Sequence, residues 1–85
     1  MAKSGEKLLK INIAQVDRSI FAGDVVFMTL PGSEGEMTLM ANHMPLISAL
    51  KSGTITIKTA EGIIRQFPVK SGLLEVNNNY ATVLL

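Results

Sequence analysis

Few residues in this sequence are equipped for chemistry. They are one histidine, His43, two acids around a glycine, Glu34 and Glu36, and the glycine-bearing loop Pro31-Gly32-Ser33-Glu34-Gly35. A histidine serves nucleophilic catalysis when a nucleophile and an orienting acid stand beside it. No local pattern supplies either to His43, which reads as a turn residue packed or hydrogen-bonded beside Pro45. Paired carboxylates cleave sugars when a cleft brings them together over aromatic and polar binding groups. The chain has three Phe, one Tyr and no Trp, so Glu34 and Glu36 read as a solvated turn. The loop lacks the GK[ST] ending of a phosphate cradle, and no helix follows to supply a dipole, so no nucleotide site is expected. One histidine and no cysteine leave no His-based metal cluster within a single chain, and no metal or cofactor is expected. This inventory points away from an enzyme.

The elements that must position these residues are bounded by size and charge. Eighty-five residues make one domain. A domain of this size buries about 60% of its unfolded surface, so a partner surface often contributes to its stability. The lack of cysteine excludes disulfide staples and fits a reducing compartment. Eight Lys/Arg against seven Asp/Glu give a net charge of +1, with the cations dispersed along the chain. A nucleic-acid binder concentrates them on one face, so no polyanion partner is expected. Residues 1–7 read as a loose polar leader ahead of a domain over 8–85. The N-terminal stretch has neither the apolar core nor the cleavage site of a signal peptide. No apolar run is long enough to span a bilayer, so the protein is expected to be soluble and to meet a membrane only through another protein.

The dominant hydrophobic period is two. Leu9-Lys10-Ile11-Asn12-Ile13 and Thr54-Ile55-Thr56-Ile57-Lys58 alternate as half-buried strands do. Val25 to Leu30 is a nearly continuous apolar run of central-strand length. Ile63 to Val69 contains Pro68, which cannot donate to a ladder and so belongs at an edge. Leu73 to Val76 and Tyr80 to Leu84 complete the set, and Asn77-Asn78-Asn79 between them suits a tight hairpin turn. Only Met44 to Leu50 offers helical spacing, through Ile47 and Leu50, enough for one turn with Pro45 near its start. Many short strands between frequent turn residues predict an all-β sandwich or barrel.

The segment from Met37 to Ile47 is unusual for an inert surface. It is apolar, carries three methionines and is interrupted by turn residues. Methionine adapts to irregular packing and is common on protein-binding surfaces. Two readings stand side by side: ordinary sandwich core, or a partner face along one edge of the domain.

At this segment the sequence resembles a known family, the N-terminal β-sandwich domain of the epsilon subunits of F-type ATP synthases. Gly32-Ser33-Glu34-Gly35-Glu36-Met37, Asn42-His43-Met44-Pro45-Leu46-Ile47 and Leu50-Lys51-Ser52-Gly53 carry the likeness in register. Phe21-Ala22-Gly23-Asp24-Val25 resembles the family's F-x-G-x-V, and Ser71-Gly72-Leu73-Leu74-Glu75-Val76 its G-G-x-x-E-V. The resemblance covers residues 8–85. Ser71 departs from it by replacing the first of two glycines, which disfavours a left-handed backbone there. Longer members continue into a pair of helices and this sequence stops at Leu85, so the inhibitory and ATP-sensing functions lodged in those helices are not carried over.

The resemblance implies a flattened β-sandwich of about ten short strands, without a C-terminal helical hairpin. It implies a non-catalytic rotor subunit in the central stalk, linking the gamma subunit to the membrane c-ring and coupling proton- or sodium-driven rotation to ATP synthesis. Its place would be peripheral, on the cytoplasmic face of a bacterial inner membrane or its equivalent. Carried over residue by residue, Gly32, Ser33, Glu34, Gly35 and Glu36 face the c-ring. Gln15, His43 and Ser48 face gamma, with Met40, Met44, Leu46 and Ile47 supplying apolar area. The competing readings are a generic protein- or carbohydrate-binding sandwich, an oligonucleotide-binding barrel and an enzyme. Scattered aromatics, balanced charge and the thin reactive inventory argue against each in turn.

Overall fold

Alternating apolar and polar residues build eight strands in the computed structural model, which describes residues 7–42 and 44–85. The strands are β1 Leu9–Gln15, β2 Arg18–Gly32, β3 Gly35–Met40, β4 Leu46–Leu50, β5 Gly53–Thr59, β6 Ile64–Val69, β7 Gly72–Asn77 and β8 Tyr80–Leu84. Residues 1–6 of the expected leader lie outside the described residues, as does His43. The all-β sandwich class is the one expected. Eight strands stand where about ten were implied, because β2 runs 15 residues and serves both layers as one strand.

The pairings resolve into two layers. One runs β4-β7-β8-β1 and closes on the first half of β2; the other runs β3, the second half of β2, β5 and β6. Val25 is the pivot, paired with Leu9 of β1 on one side and Thr59 of β5 on the other. The register against β5 slips between Val25 and Phe27, a bulge that bends the strand from one layer to the other. All ladders are antiparallel except β1–β8, which runs parallel from Lys10 opposite Tyr80 to Ala14 opposite Leu84.

Between the layers lie Leu9, Ile11 and Ile13 of β1, Met28 and Leu30 of β2, Ile55 and Ile57 of β5, Leu74 and Val76 of β7, and Ala81 and Val83 of β8, all buried. Each large aliphatic side chain removed from water contributes about 1.5–3 kcal/mol before the entropy of ordering is counted. Among the described residues Thr59 is the buried polar one, and the β5–β6 turn satisfies it: its Oγ1 accepts from the Ile63 N–H at 3.0 Å.

Two local expectations meet the structure differently. The Asn77–Asn79 hairpin turn forms between β7 and β8, with Asn78 and Asn79 at φ 51° and 61°, the paired positive angles of a type I′ turn. The helical turn expected within Met44 to Leu50 does not form; Leu46–Leu50 is strand β4, paired antiparallel with β7. Its inward positions are Leu46, Ser48 and Leu50, while Ile47 points out, so a polar residue inside and an apolar one outside disguise the period of two. Pro68 sits on β6, which pairs with β5 alone among the described strands, so its missing N–H falls at an edge. Ser71 is not among the residues with positive φ.

Candidate partner-binding surfaces

The register fixes the ends of the sandwich. Ala14, Leu84, Leu73 and Ala49 stand side by side across β1, β8, β7 and β4. The β1–β2 turn, the β2–β3 turn and Leu85 therefore share one end, and the Leu85 N–H closes on the Ala14 carbonyl at 2.9 Å. The β3–β4 connection and the β7–β8 turn share the other.

The β2–β3 turn presents the first set of predicted residues. Gly32 pairs with Gly35, leaving Ser33 and Glu34 as the exposed tip, with Glu36 exposed on β3. Both glycines are required, for different reasons. A Cβ on Gly32 would lie 2.7 Å from the Gly35 carbonyl oxygen and 2.8 Å from Cε of Met37. Gly35 has open space around it, but its φ of 136° is one that side-chain-bearing residues rarely adopt. Backbone bonds then pin the turn to the neighbouring layer: Ser33 N–H to the Ala49 carbonyl and Lys51 N–H to the Pro31 carbonyl, each 2.9 Å. The carboxylates of Glu34 and Glu36 thus project from a tip with little freedom to relax.

The second predicted set divides. Met37 and Leu39 of β3 point inward, Leu39 into the core and Met37 packed against it, while Met40 is 56% exposed. Met44 is 77% and Ile47 71% exposed, although Leu46 packs against the core. Strand alternation thus sends some residues of the Met37–Ile47 segment into the core and leaves Met40, Met44 and Ile47 exposed, where a partner face would lie. Ser48 is half-buried with its Oγ donating to the Ala49 carbonyl at 3.1 Å. Gln15 stands apart from Met40 and Met44, at the end that carries the Glu34 turn, where its Oε1 accepts from Nε of Arg18 at 3.2 Å. The two predicted sets nevertheless share a border, because Glu34, Glu36, Ile47 and Ser48 line one groove between the β2–β3 turn and β4.

Other surface features escaped the sequence reading. Leu73 and Leu84, directly opposite each other on β7 and β8, are exposed on the outer face of their layer, with Ile47 near them on β4. The signal was present in Leu73-Leu74, since only one of two adjacent strand residues can point inward. Arg65 lies over both Phe21 and Phe67, 5.4 and 5.2 Å from the ring centroids, and the rings themselves are 5.9 Å apart. This stack covers the seam where the first half of β2 faces β6. Among the described residues no three His, Cys, Asp or Glu side chains converge as a metal site. What the geometry offers is exposed contact area on stiff supports.

Residues 8–85 match the ATP synthase delta/epsilon chain β-sandwich domain. The chain is 40% identical over 76 residues to the ATP synthase epsilon chain of Bordetella petrii, covering 89% of this chain and 54% of that protein. It is 38% identical over 79 residues to that of Pelotomaculum thermopropionicum, covering 93% and 58%. The chain thus spans little more than half the length of these relatives. Among solved structures, a chain of the Euglena gracilis mitochondrial ATP synthase (OSCP, F1 and c-ring) superposes with a TM-score of 0.85 at 20% identity, covering 99% of this chain and 56% of that one. A chain from the central stalk and c-ring of the Tetrahymena thermophila mitochondrial ATP synthase gives 0.76 at 13% identity, covering 93% and 63%. At those identities the likeness speaks for the fold alone. The match runs through nearly the whole chain, and the chain belongs to the ATP synthase delta/epsilon chain β-sandwich family.

Proposed function

We propose that this domain, residues 8–85 behind a polar leader over 1–7, is a non-catalytic element of the central stalk of an F-type ATP synthase. It links the gamma subunit to the c-ring, so that ion-driven rotation reaches the head where ATP is made. It meets the membrane indirectly, through that complex, on the cytoplasmic face of a bacterial inner membrane or the equivalent side of another energy-converting membrane. The relatives that carry the name ATP synthase epsilon chain support this reading.

The observation that carries it is the groove where the two predicted contact sets meet. An acidic tip built on two glycines and pinned by backbone bonds borders an outward-facing Ile47, with Met40 and Met44 farther along the same edge of the domain. A part that transmits torque needs two contact surfaces on one body that does not yield between them, and a cross-bonded sandwich supplies that stiffness. The acidic tip serves the c-ring side, with Glu34 and Glu36 meeting basic loop residues. Surface ion pairs are worth about 0–1 kcal/mol each, so they orient the contact more than they hold it. The exposed Met40, Met44 and Ile47, with Leu46 behind them, serve the gamma side, where burial contributes about 25 cal/mol per Å².

The test is the double charge reversal Glu34→Lys with Glu36→Lys, followed by capture of purified c-ring at low and high salt. We expect capture to weaken about tenfold at low salt and less at high salt, where exposed charges are screened. Unchanged capture at low salt would remove the c-ring role from this turn.

A further inference from the structure

The β3–β4 connection carries the chain from one layer to the other, and its described residues 41, 42, 44 and 45 lie outside every strand ladder. One tie on this crossover comes from a residue 37 positions away in sequence: the Asn42 backbone N–H donates to Oδ1 of Asn79, in the β7–β8 turn. The backbone carbonyl of Asn79 in turn accepts the Lys10 N–H at 3.0 Å. One asparagine therefore joins the crossover, the β7–β8 hairpin and the start of β1. Asn42, Pro45, Asn78 and Asn79 line the shallow cleft where they meet.

Two independent demands fall on position 79. Its φ is 61°, and Asn42 across the cleft has φ 65°. Glycine and asparagine tolerate that backbone region readily. Glycine, however, has no side-chain acceptor, and without one the Asn42 N–H loses its protein partner. Asparagine meets both demands, aspartate meets both with a negative charge, and alanine meets neither.

Building on the gamma contact proposed above, we infer that Asn79 is a positioning residue for the gamma-facing edge. Its side chain holds the β3–β4 crossover at Asn42, so that Met40 at the end of β3 and Met44 beyond Asn42 in the crossover are offered in one arrangement. A fixed crossover loses less conformational freedom when gamma binds, so the link favours affinity without touching gamma itself.

The experiment compares Asn79→Gly, Asn79→Asp and Met44→Asp in the full chain. It reads amide hydrogen exchange at Asn42 and binding to purified gamma subunit. Asn79→Gly keeps the backbone angle and removes the acceptor. The Asn42 amide should then exchange about fivefold faster, the size of one net hydrogen bond, and gamma binding should weaken by a similar factor. Asn79→Asp should restore both, which a general loss of stability would not allow. If Asn79→Gly speeds exchange at Asn42 yet leaves gamma binding unchanged while Met44→Asp weakens it, the contact stands and the positioning role is overturned. If Met44→Asp also leaves binding unchanged, the gamma reading of this edge fails and the inference falls with it. Unchanged exchange at Asn42 in Asn79→Gly would overturn the link directly.

Discussion

The two ends of this sandwich solve the same problem with different residues. At one end the β2–β3 turn is built on Gly32 and Gly35 and held by backbone bonds to Ala49 and Lys51. At the other, the turns are built on Asn42, Asn78 and Asn79, all at positive φ, and held through a side-chain oxygen. The glycine end gets its shape from what the backbone allows and from close packing, so it fails only if the backbone is forced to move. The asparagine end gets its shape from a replaceable amide. The proposed rotor role gives reason to keep the acidic tip invariant in shape, and the more adjustable end is the one next to the exposed methionines.

The comparison breaks most sharply at Gly32. Gly32→Val inserts a branched side chain where the first carbon alone would sit 2.7 Å from a backbone oxygen, which cannot swing aside as a side chain can. We expect a loss of about 3 kcal/mol in denaturant unfolding. A loss below about 1 kcal/mol would mean that the tip is softer than described.

A smaller effect separates the two kinds of turn residue. Gly35 has φ 136°, well outside the left-handed region near φ 60° that asparagine accepts. Gly35→Asn should therefore cost about 1–2 kcal/mol, a fall of roughly 5–15 °C in melting temperature for a domain of this size. Asn78, at φ 51°, is the matched case: Asn78→Gly should cost under about 1 kcal/mol. Equal losses at the two positions would erase the distinction between the ends.

These differences also mark where the sequence was readable. The clean alternation of Leu9 to Ile13 and Thr54 to Lys58 announced β1 and β5, and the Asn run announced the β7–β8 turn. Strand β4 was not readable as a strand, because Ser48 occupies an inward position and Ile47 an outward one. The double duty of β2 was hidden for a related reason: a nearly continuous apolar run from Val25 to Leu30 does not say which face changes partners at a bulge. The acidic turn was found because glycines flank its acids in sequence. The Asn42–Asn79 link was not, because 37 residues separate its ends and asparagine in a turn explains itself locally. Gln15 was grouped with Met40 and Met44 by resemblance, and the strand register sets it at the other end of the domain, a separation that no local pattern in the sequence announces.

The central claim is that one rigid body carries two contact surfaces that act together. Its most direct test adds this chain to purified gamma subunit and purified c-ring, alone and combined, and weighs the complexes formed. The account predicts binding to each and a ternary complex holding all three, tighter than either pair. Binding to only one partner, or a second partner that displaces the first, would contradict it.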